Sequence, residues 1–499
     1  MITALTVLLA LGFLVWGFFR AKPFGKLGIL AWLQSVVLMS PWLLFFTLFA
    51  AGIYLNLIGV LLLFLLSTGL YIYLGNRLRA MGQDVLLSRR ATAIAEASKN
   101  TTQPTTATDP ESAQPPSIMT TTGQEPDVVP LPAEDLKAIQ GIFGLDTFFA
   151  TETIPYQEGA IFRGNLRGEP EAAYSRLSSS LQERLGDRYR LYLVENQDGK
   201  PVVIILPSTR DPKPMTLFQK GFAVVLFLVT IASCMESASV MLGFDLLEAP
   251  DRFMATVPIA LGLLGVLLAH ELGHWIMARR YQVRLSYPFF IPSIPIGSYG
   301  ALTRFDSLLP NRNVLFDIAF AGPAVGGLIS LVMLITGLLL SHEGSLFQVP
   351  SEFFQGSILV GTLTRVVLRE SLQQPIVDVH PLVVLGWLGL VINALNLMPA
   401  GQLDGGRIVQ SIYGRKIAGR TTIGTLVVLG LASFVNPLAL YWAILVLFLQ
   451  RDLERPSLNE LTEPDDARAA LGLLALFLMI VTLLPLTPAL AGRLGIGAY

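Results

Sequence analysis

The chain has 499 residues, 53% of them hydrophobic and only 14% charged, with a mean hydropathy of +0.59. Soluble proteins carry about a quarter charged residues, so this composition points to a polytopic membrane protein and excludes an ordinary soluble fold. A net charge of -1 without a basic block argues against nucleic acid as a partner, and the single cysteine, Cys234, excludes a disulfide framework or a cysteine metal site.

Taken in chain order, apolar runs long enough to cross roughly 30 Å of hydrocarbon lie at 1–19, 27–49, 52–75, 216–243, 254–277, 313–340, 381–398, 421–449 and 468–490. They predict an all-α polytopic protein of eight or nine membrane helices. The first run lacks a basic start and is followed by Arg20, Lys22 and Lys26, so it reads as a retained span rather than a signal peptide. Asn436 and Pro437 break the run at 421–449, and Arg415, Lys416, Arg420 and Arg451 flank it on both sides, which predicts a hairpin of two short helices.

Five regions follow: a three-helix membrane segment at 1–80, a disordered linker rich in Thr, Ser, Ala, Pro and Gln at 81–130, a small α+β soluble domain at 131–212, a membrane core at 213–455, and a closing linker with a membrane helix at 456–499. Within the soluble domain the pattern predicts strands at Ala160–Arg163, Tyr189–Glu195 and Pro201–Pro207, and a helix at Glu169–Leu185. Arg77, Arg79, Arg89, Arg90, Lys213 and Lys220 place this domain on the basic, cytoplasm-like side.

The chemistry concentrates in the apolar segment that ends AHELGHWIMARR, where His270 and His274 stand four residues apart and so stack on one face of a helix. Both imidazoles can bind one zinc. Glu271 is rotated by about 100° around the helix axis, so it reaches a water beside the metal and serves as a general base. Ionisable residues inside a membrane are functional by default. Catalytic zinc takes three protein ligands, and the third must come from outside this segment, because Met277 and Arg280 occupy the positions where an extended motif would place its glycine and third histidine. Asp306, Asp317 and Asp404 are the acidic candidates. Asp404 is the strongest: Pro399 stops the helix before it, and Gly401, Gly405 and Gly406 allow a tight backbone that turns a carboxylate back into the membrane. His342 and His380 lie at outer helix ends and read as interface residues.

Between these regions, LSYPFFIPSIPIGSYGALTRF carries Pro288, Pro292, Pro295, Gly297 and Gly300 too densely for a helix. It predicts a re-entrant extended loop, which serves either as an edge for pairing with an unwound substrate or as packing for the cavity.

HELGH, the AGP of Ala321 to Pro323, and NALNLMPAGQLDGG together resemble the site-2 protease family of intramembrane zinc metalloproteases, over roughly Leu217 to Arg451. The resemblance implies a core of membrane helices, Zn2+ held by His270, His274 and Asp404, Glu271 as the base, and Asn396 as a donor to the scissile carbonyl, a role for which Asn393 competes. It also implies transmembrane-helix proteins as substrates in a lipid bilayer. Many members carry G-P-x-x-N in the central helix, whereas this chain reads GPAVG with Gly326 at the asparagine position. The interval from Ser341 to His380 is 40 residues, too short for the PDZ domain of some members. FRGNLRG at Phe162 to Gly168, the long N-terminal tether and NELTEPDDAR resemble the chloroplast and photosynthetic-bacterial branch, which implies a multi-pass protein of a cell inner membrane or a thylakoid membrane. A non-proteolytic zinc scaffold, chaperone or transporter is the rival reading. Intact Glu271 and the lack of an inverted repeat weigh against it.

Overall fold

The computed structural model describes residues 14–50, seven positions between 67 and 78, and 131–496 apart from 157, 197, 295 and 451. The runs expected at 1–19 and 52–75, the linker at 81–130, Pro295 and Arg451 thus lie wholly or largely outside the described residues. The chain forms two compact units, residues 1–122 and 123–499. In the first, helix α1 (Gly25–Ala50) carries the run expected at 27–49 and tolerates Pro41 within it.

The second unit opens with an α+β layer made of α2 (Ala133–Gln140), β1 (Phe148–Tyr156), β2 (Gly159–Leu166), α3 (Pro170–Leu185), β3 (Tyr189–Glu195) and β4 (Pro201–Pro207). The strands form one antiparallel sheet in the order β1-β2-β4-β3. Helix α3 buries Ala173, Leu177, Leu181 and Leu185, a four-residue spacing that makes one apolar stripe, and Gly186 ends it at a φ of 59°. The stripe closes over Phe148, Phe162, Leu193, Val203 and Ile205, all fully buried. The sequence pattern leaves out α2 and β1; in β1 a bulge between Ala150 and Glu152 breaks the alternation that marks a strand.

Strand β3 is the sheet edge, and residues 458–460 cover it. The Leu193 N–H donates to the Leu458 carbonyl at 2.8 Å, and the Glu460 N–H donates to the Leu193 carbonyl at 2.9 Å. The same segment bonds Leu309 and Pro310 through the Leu458 and Asn459 amides. An open strand edge invites pairing with other chains, and here that pairing ties the α+β layer to the membrane helices.

Among the described residues, four helices are long and apolar enough to cross a membrane: α4 (Leu217–Met241), α5 (Phe253–Arg280, with a leading turn from Pro250), α6 (Arg312–Leu340) and α11 (Asp466–Leu483). Between α5 and α6 the Pro- and Gly-rich stretch forms a hairpin of β5 (Phe289–Ser293) and β6 (Gly297–Leu302). After α6, β7 (Phe347–Pro350) and β8 (Ile376–Val379) pair around the short helix α7 (Ile358–Leu368). These two strand pairs correct the all-α description to a mostly helical fold with small sheets. Prolines remove ladder donors and stop helices, so such stretches pair only briefly.

The run expected at 381–398 becomes α8 (Pro381–Asn396), whose 16 residues span about 24 Å. The run at 421–449 divides at Asn436, which caps α10 (Pro437–Leu445), but its first arm belongs to α9 (Asp404–Ala432), which breaks at Gly414 with φ 79° and ψ 172°. Buried Arg312 meets the carbonyls near that break, donating at 2.6 Å to both Ser411 and Ile412. Inside a membrane, backbone groups freed at a helix break need such a partner.

The α+β layer carries one buried polar contact whose loss is measurable. Asp135 accepts from Tyr189 Oη at 2.7 Å and from Arg188 at 3.0 Å. Burial and the neighbouring carboxylate push the Tyr189 phenol up to about 12. The folded-state value lies above the unfolded value of about 10, so this contribution to stability is complete below pH 10 and is lost as pH rises toward 12. Asp135→Ala should lower the stability of the layer by about 1–3 kcal/mol, read as a lower urea midpoint for proteolysis within 131–212.

Candidate metal centre

His270 and His274 occupy successive turns of α5 and turn the same way, with their Nε2 atoms 3.0 Å apart. Asp404, the first residue of α9, brings Oδ2 to 3.1 Å from His270 Nε2 and 3.4 Å from His274 Nε2. All three residues are buried. Three donors on an ion bound at about 2.0–2.2 Å with tetrahedral angles stand about 3.3 Å apart, so this triangle has the size of one face of a zinc coordination shell.

The other ring nitrogens decide whether the triangle offers lone pairs. His270 Nδ1–H donates to Asn393 Oδ1 at 2.8 Å, and His274 Nδ1–H donates to the Ile318 carbonyl at 2.7 Å. Each acceptor fixes the proton on Nδ1 and leaves Nε2 free to bind a metal, the arrangement that metal-ligating histidines use. Two neutral imidazoles and one carboxylate fit a divalent ion.

The turn before α9 explains how Asp404 arrives here. A Cβ on Gly405 would lie 1.8 Å from the Leu397 carbonyl oxygen, and one on Gly406 would lie 2.3 Å from that of Gly401. Only glycine lets the chain fold back so tightly after α8. On α6, a Cβ on Gly322 would lie 2.1 Å from His274 Nε2, so this helix also approaches the centre through a missing side chain.

Glu271, one step further around α5, offers a carboxylate oxygen within 4.8 Å of the ligand nitrogens of His270 and His274. Its Oε2 accepts from Thr303 Oγ1 at 2.7 Å. A narrow cavity lined by His270, Glu271, Phe290, Gly300, Asn393 and Asn396 opens on this side, between α5, α8 and the β5–β6 hairpin. Asn396 Nδ2 donates to the Ile392 carbonyl at 2.9 Å and to that of Tyr299, in β6, at 3.4 Å.

The other candidates lie elsewhere. Asp317 takes a two-point ion pair from Arg468 at 2.8 Å. Asp306 lines the seam between the α+β layer and the membrane helices. His380 caps α8 and His342 bonds the Glu343 carbonyl. Sequence reasoning missed Thr303, which carries no motif, and Arg407, whose only signal is its place three residues after Asp404.

Residues 258–436 match the profile of peptidase family M50, and residues 137–214 match the EGY3 middle domain. The chain is 40% identical over 401 residues to the probable zinc metalloprotease EGY1, chloroplastic, of Arabidopsis thaliana, covering 73% of each chain. This chain belongs to peptidase family M50. It is also 37% identical to the probable zinc metalloprotease EGY2, chloroplastic, of the same plant, over 74% of this chain and 67% of the relative. Against the probable zinc metalloprotease EGY3, chloroplastic, of Oryza sativa subsp. japonica, identity is 30% over 71% of this chain and 64% of the relative. No solved structure matches.

The departure at Gly326 now has a physical reason. A Cβ at Gly326 would lie 2.6 Å from Asn393 Oδ1 and 3.0 Å from His270 Cβ. The space that an asparagine on α6 would fill is occupied by the Asn393 amide from α8, which also donates to the Gly389 carbonyl at 2.7 Å. Gly326→Asn should therefore push Asn393 off His270, and Asn393→Ala should leave the Nδ1–H without its acceptor. Each should weaken metal retention by about 10–100-fold. The double change, which returns the amide from α6, should recover part of the loss in a chelator competition assay; no recovery would break the link between the two positions.

Proposed function

We propose that this M50 peptidase is an intramembrane zinc endopeptidase, hydrolysing peptide bonds in or near transmembrane helices of membrane-protein substrates. The observation that carries the reading is the buried triangle of His270, His274 and Asp404 with the Glu271 carboxylate beside it, on an apolar helix. In this reading those three residues hold the metal. Zinc, when bound, supplies a Lewis acid that brings the pKa of a water toward neutrality.

Glu271 takes the proton from the attacking water and delivers it to the leaving amine nitrogen, so the C–N bond breaks with the proton returned to product. The Thr303 hydroxyl holds Oε2 and leaves Oε1 as the oxygen that moves the proton. Asn396, on the same cavity wall, donates from Nδ2 to the oxygen that gains charge at the scissile carbonyl; this requires the amide to leave the long bond to Tyr299. The β5–β6 hairpin borders that cavity through Phe290, Gly300 and Ala301, and supports pairing with a substrate stretch unwound from its helix. Four long helices plus the shorter apolar ones support a multi-pass protein of eight or nine passages, and relatives named chloroplastic support a thylakoid membrane over a cell inner membrane. An inactive scaffold would have no use for a base held in register by Thr303.

Reconstituted with single-span membrane proteins, Glu271→Gln should keep its zinc and lose about 10²–10⁴-fold in cleavage rate. Turnover equal to the wild type would sink the mechanism. Asp404→Asn should lose zinc more completely than Asp317→Asn, measured as metal content after gel filtration, and the reverse order would require a different third ligand.

A further inference from the structure

One buried ion pair borders the centre without belonging to it. Arg407 and Glu454 are each more than nine-tenths buried, and the pair is made twice, from Arg407 Nε at 3.1 Å and Nη2 at 3.0 Å to Glu454 Oε2. The remaining guanidinium donors reach two other places. Nη2 donates to the Thr303 carbonyl at 2.8 Å, and Nη1 stands 3.9 Å from Asp404 Oδ1, the oxygen turned away from the histidines. The guanidinium also lies over the Phe305 ring, 4.8 Å from its centroid.

We propose that Arg407 is a positioning residue that sets both carboxylates of the centre at once, Asp404 directly and Glu271 through Thr303, with Glu454 as the counter-charge that keeps it in place. This rests on the peptidase reading given above. Asp404 and Arg407 share one face of the first turn of α9, being three residues apart, so the charge lies beside Oδ1 while Oδ2 faces the imidazoles. Thr303 contributes at both ends: its carbonyl is held by Arg407 and its hydroxyl holds Glu271 Oε2. One planar group therefore fixes the separation between the metal-facing carboxylate and the proton-moving one.

A buried ion pair on its own contributes little to stability, since desolvation offsets the attraction. What it does contribute is geometry, and the geometry requires arginine. Lysine carries a point charge that cannot meet Glu454, Thr303 and Asp404 from three directions of a plane. Glu454 is itself held by α9, because its N–H donates to Gln410 Oε1 at 3.0 Å and its carbonyl accepts from Gln410 Nε2 at 3.1 Å and from Arg415.

The test uses the full chain in detergent or vesicles, with zinc and with cobalt as a spectroscopic substitute. Arg407→Met should lower kcat about 10–100-fold with KM little changed, weaken zinc against a chelator by a similar factor, and alter the cobalt absorption bands. Arg407→Lys should recover only a minor part. Because Arg407→Met leaves Glu454 buried and unpaired, the decisive variant is Arg407→Met with Glu454→Met, which removes both charges and should fold as the wild type does. Its cobalt spectrum and kcat should remain those of the single variant. A double variant with wild-type spectrum, zinc affinity and kcat would overturn the proposal and leave a purely structural pair. Glu271→Gln separates the two claims: if it still cleaves, the peptidase reading fails, while the cobalt and chelator measurements continue to judge Arg407 independently of activity.

Discussion

The structure depends on keeping three polar side chains together among apolar helices with every ring nitrogen and carboxylate oxygen supplied with a partner. In such surroundings an unpaired polar group costs several kcal/mol, so the triangle can exist only with the shell that satisfies its outer atoms. Asn393 and the Ile318 carbonyl take the two Nδ1 protons, and Arg407 stands by the outer oxygen of Asp404. Close packing makes room for this. Gly322 and Gly326 let α6 approach within contact of the imidazoles and the Asn393 amide, and Gly405 lets the turn from α8 lie against the start of α9. Without a hydrophobic drive between membrane helices, small residues at such contacts are how close approach is achieved.

The same demand organises the region behind the centre. Helix α9 carries Asp404 at its start and breaks ten residues later at Gly414, and the carbonyls near that break go to Arg312 of α6. Glu454 and Gln410 bond each other through backbone and side chain, and four residues further on the chain reaches the edge of β3. One short stretch, 454–460, thus touches helix α9 at one end and the sheet of the α+β layer at the other. The layer is joined to the core by backbone ladder bonds, which fix register and direction in a way that scattered side-chain contacts do not.

What could be read in the sequence was what is local. HELGH places two imidazoles and a carboxylate by helix geometry alone, and the Pro399–Gly406 turn marks Asp404 as a carboxylate thrown back toward the membrane. The α3 stripe and the β3–β4 pair were legible for the same reason, since their periods are complete within single segments. Thr303, Arg407 and Glu454 were not, because their meaning lies in contacts across 32 to 104 residues of chain. The end of α8 was legible too, since Pro399 stops the run at 381–398, and the helix closes at Asn396 and hands its direction to the turn that carries the site. Hydropathy measures how much a segment avoids water and says nothing of where it must bend to present a ligand.

The contact at Gly326 shows how one atom's requirement is met in this chain. The requirement at His270 is one acceptor for one N–H, in a space that holds one amide. An asparagine on α6 would have to displace the one on α8, since a Cβ at Gly326 would already crowd Asn393 Oδ1 at 2.6 Å. With glycine on the first helix, the second supplies the group, and the imidazole keeps the tautomer that leaves Nε2 available. A missing motif residue is therefore weak evidence of lost function until the atom it would have satisfied has been followed to its actual partner. Here that partner stands on the helix immediately before the turn that delivers Asp404, so α8 orients one imidazole and leads directly into the carboxylate that completes the triangle.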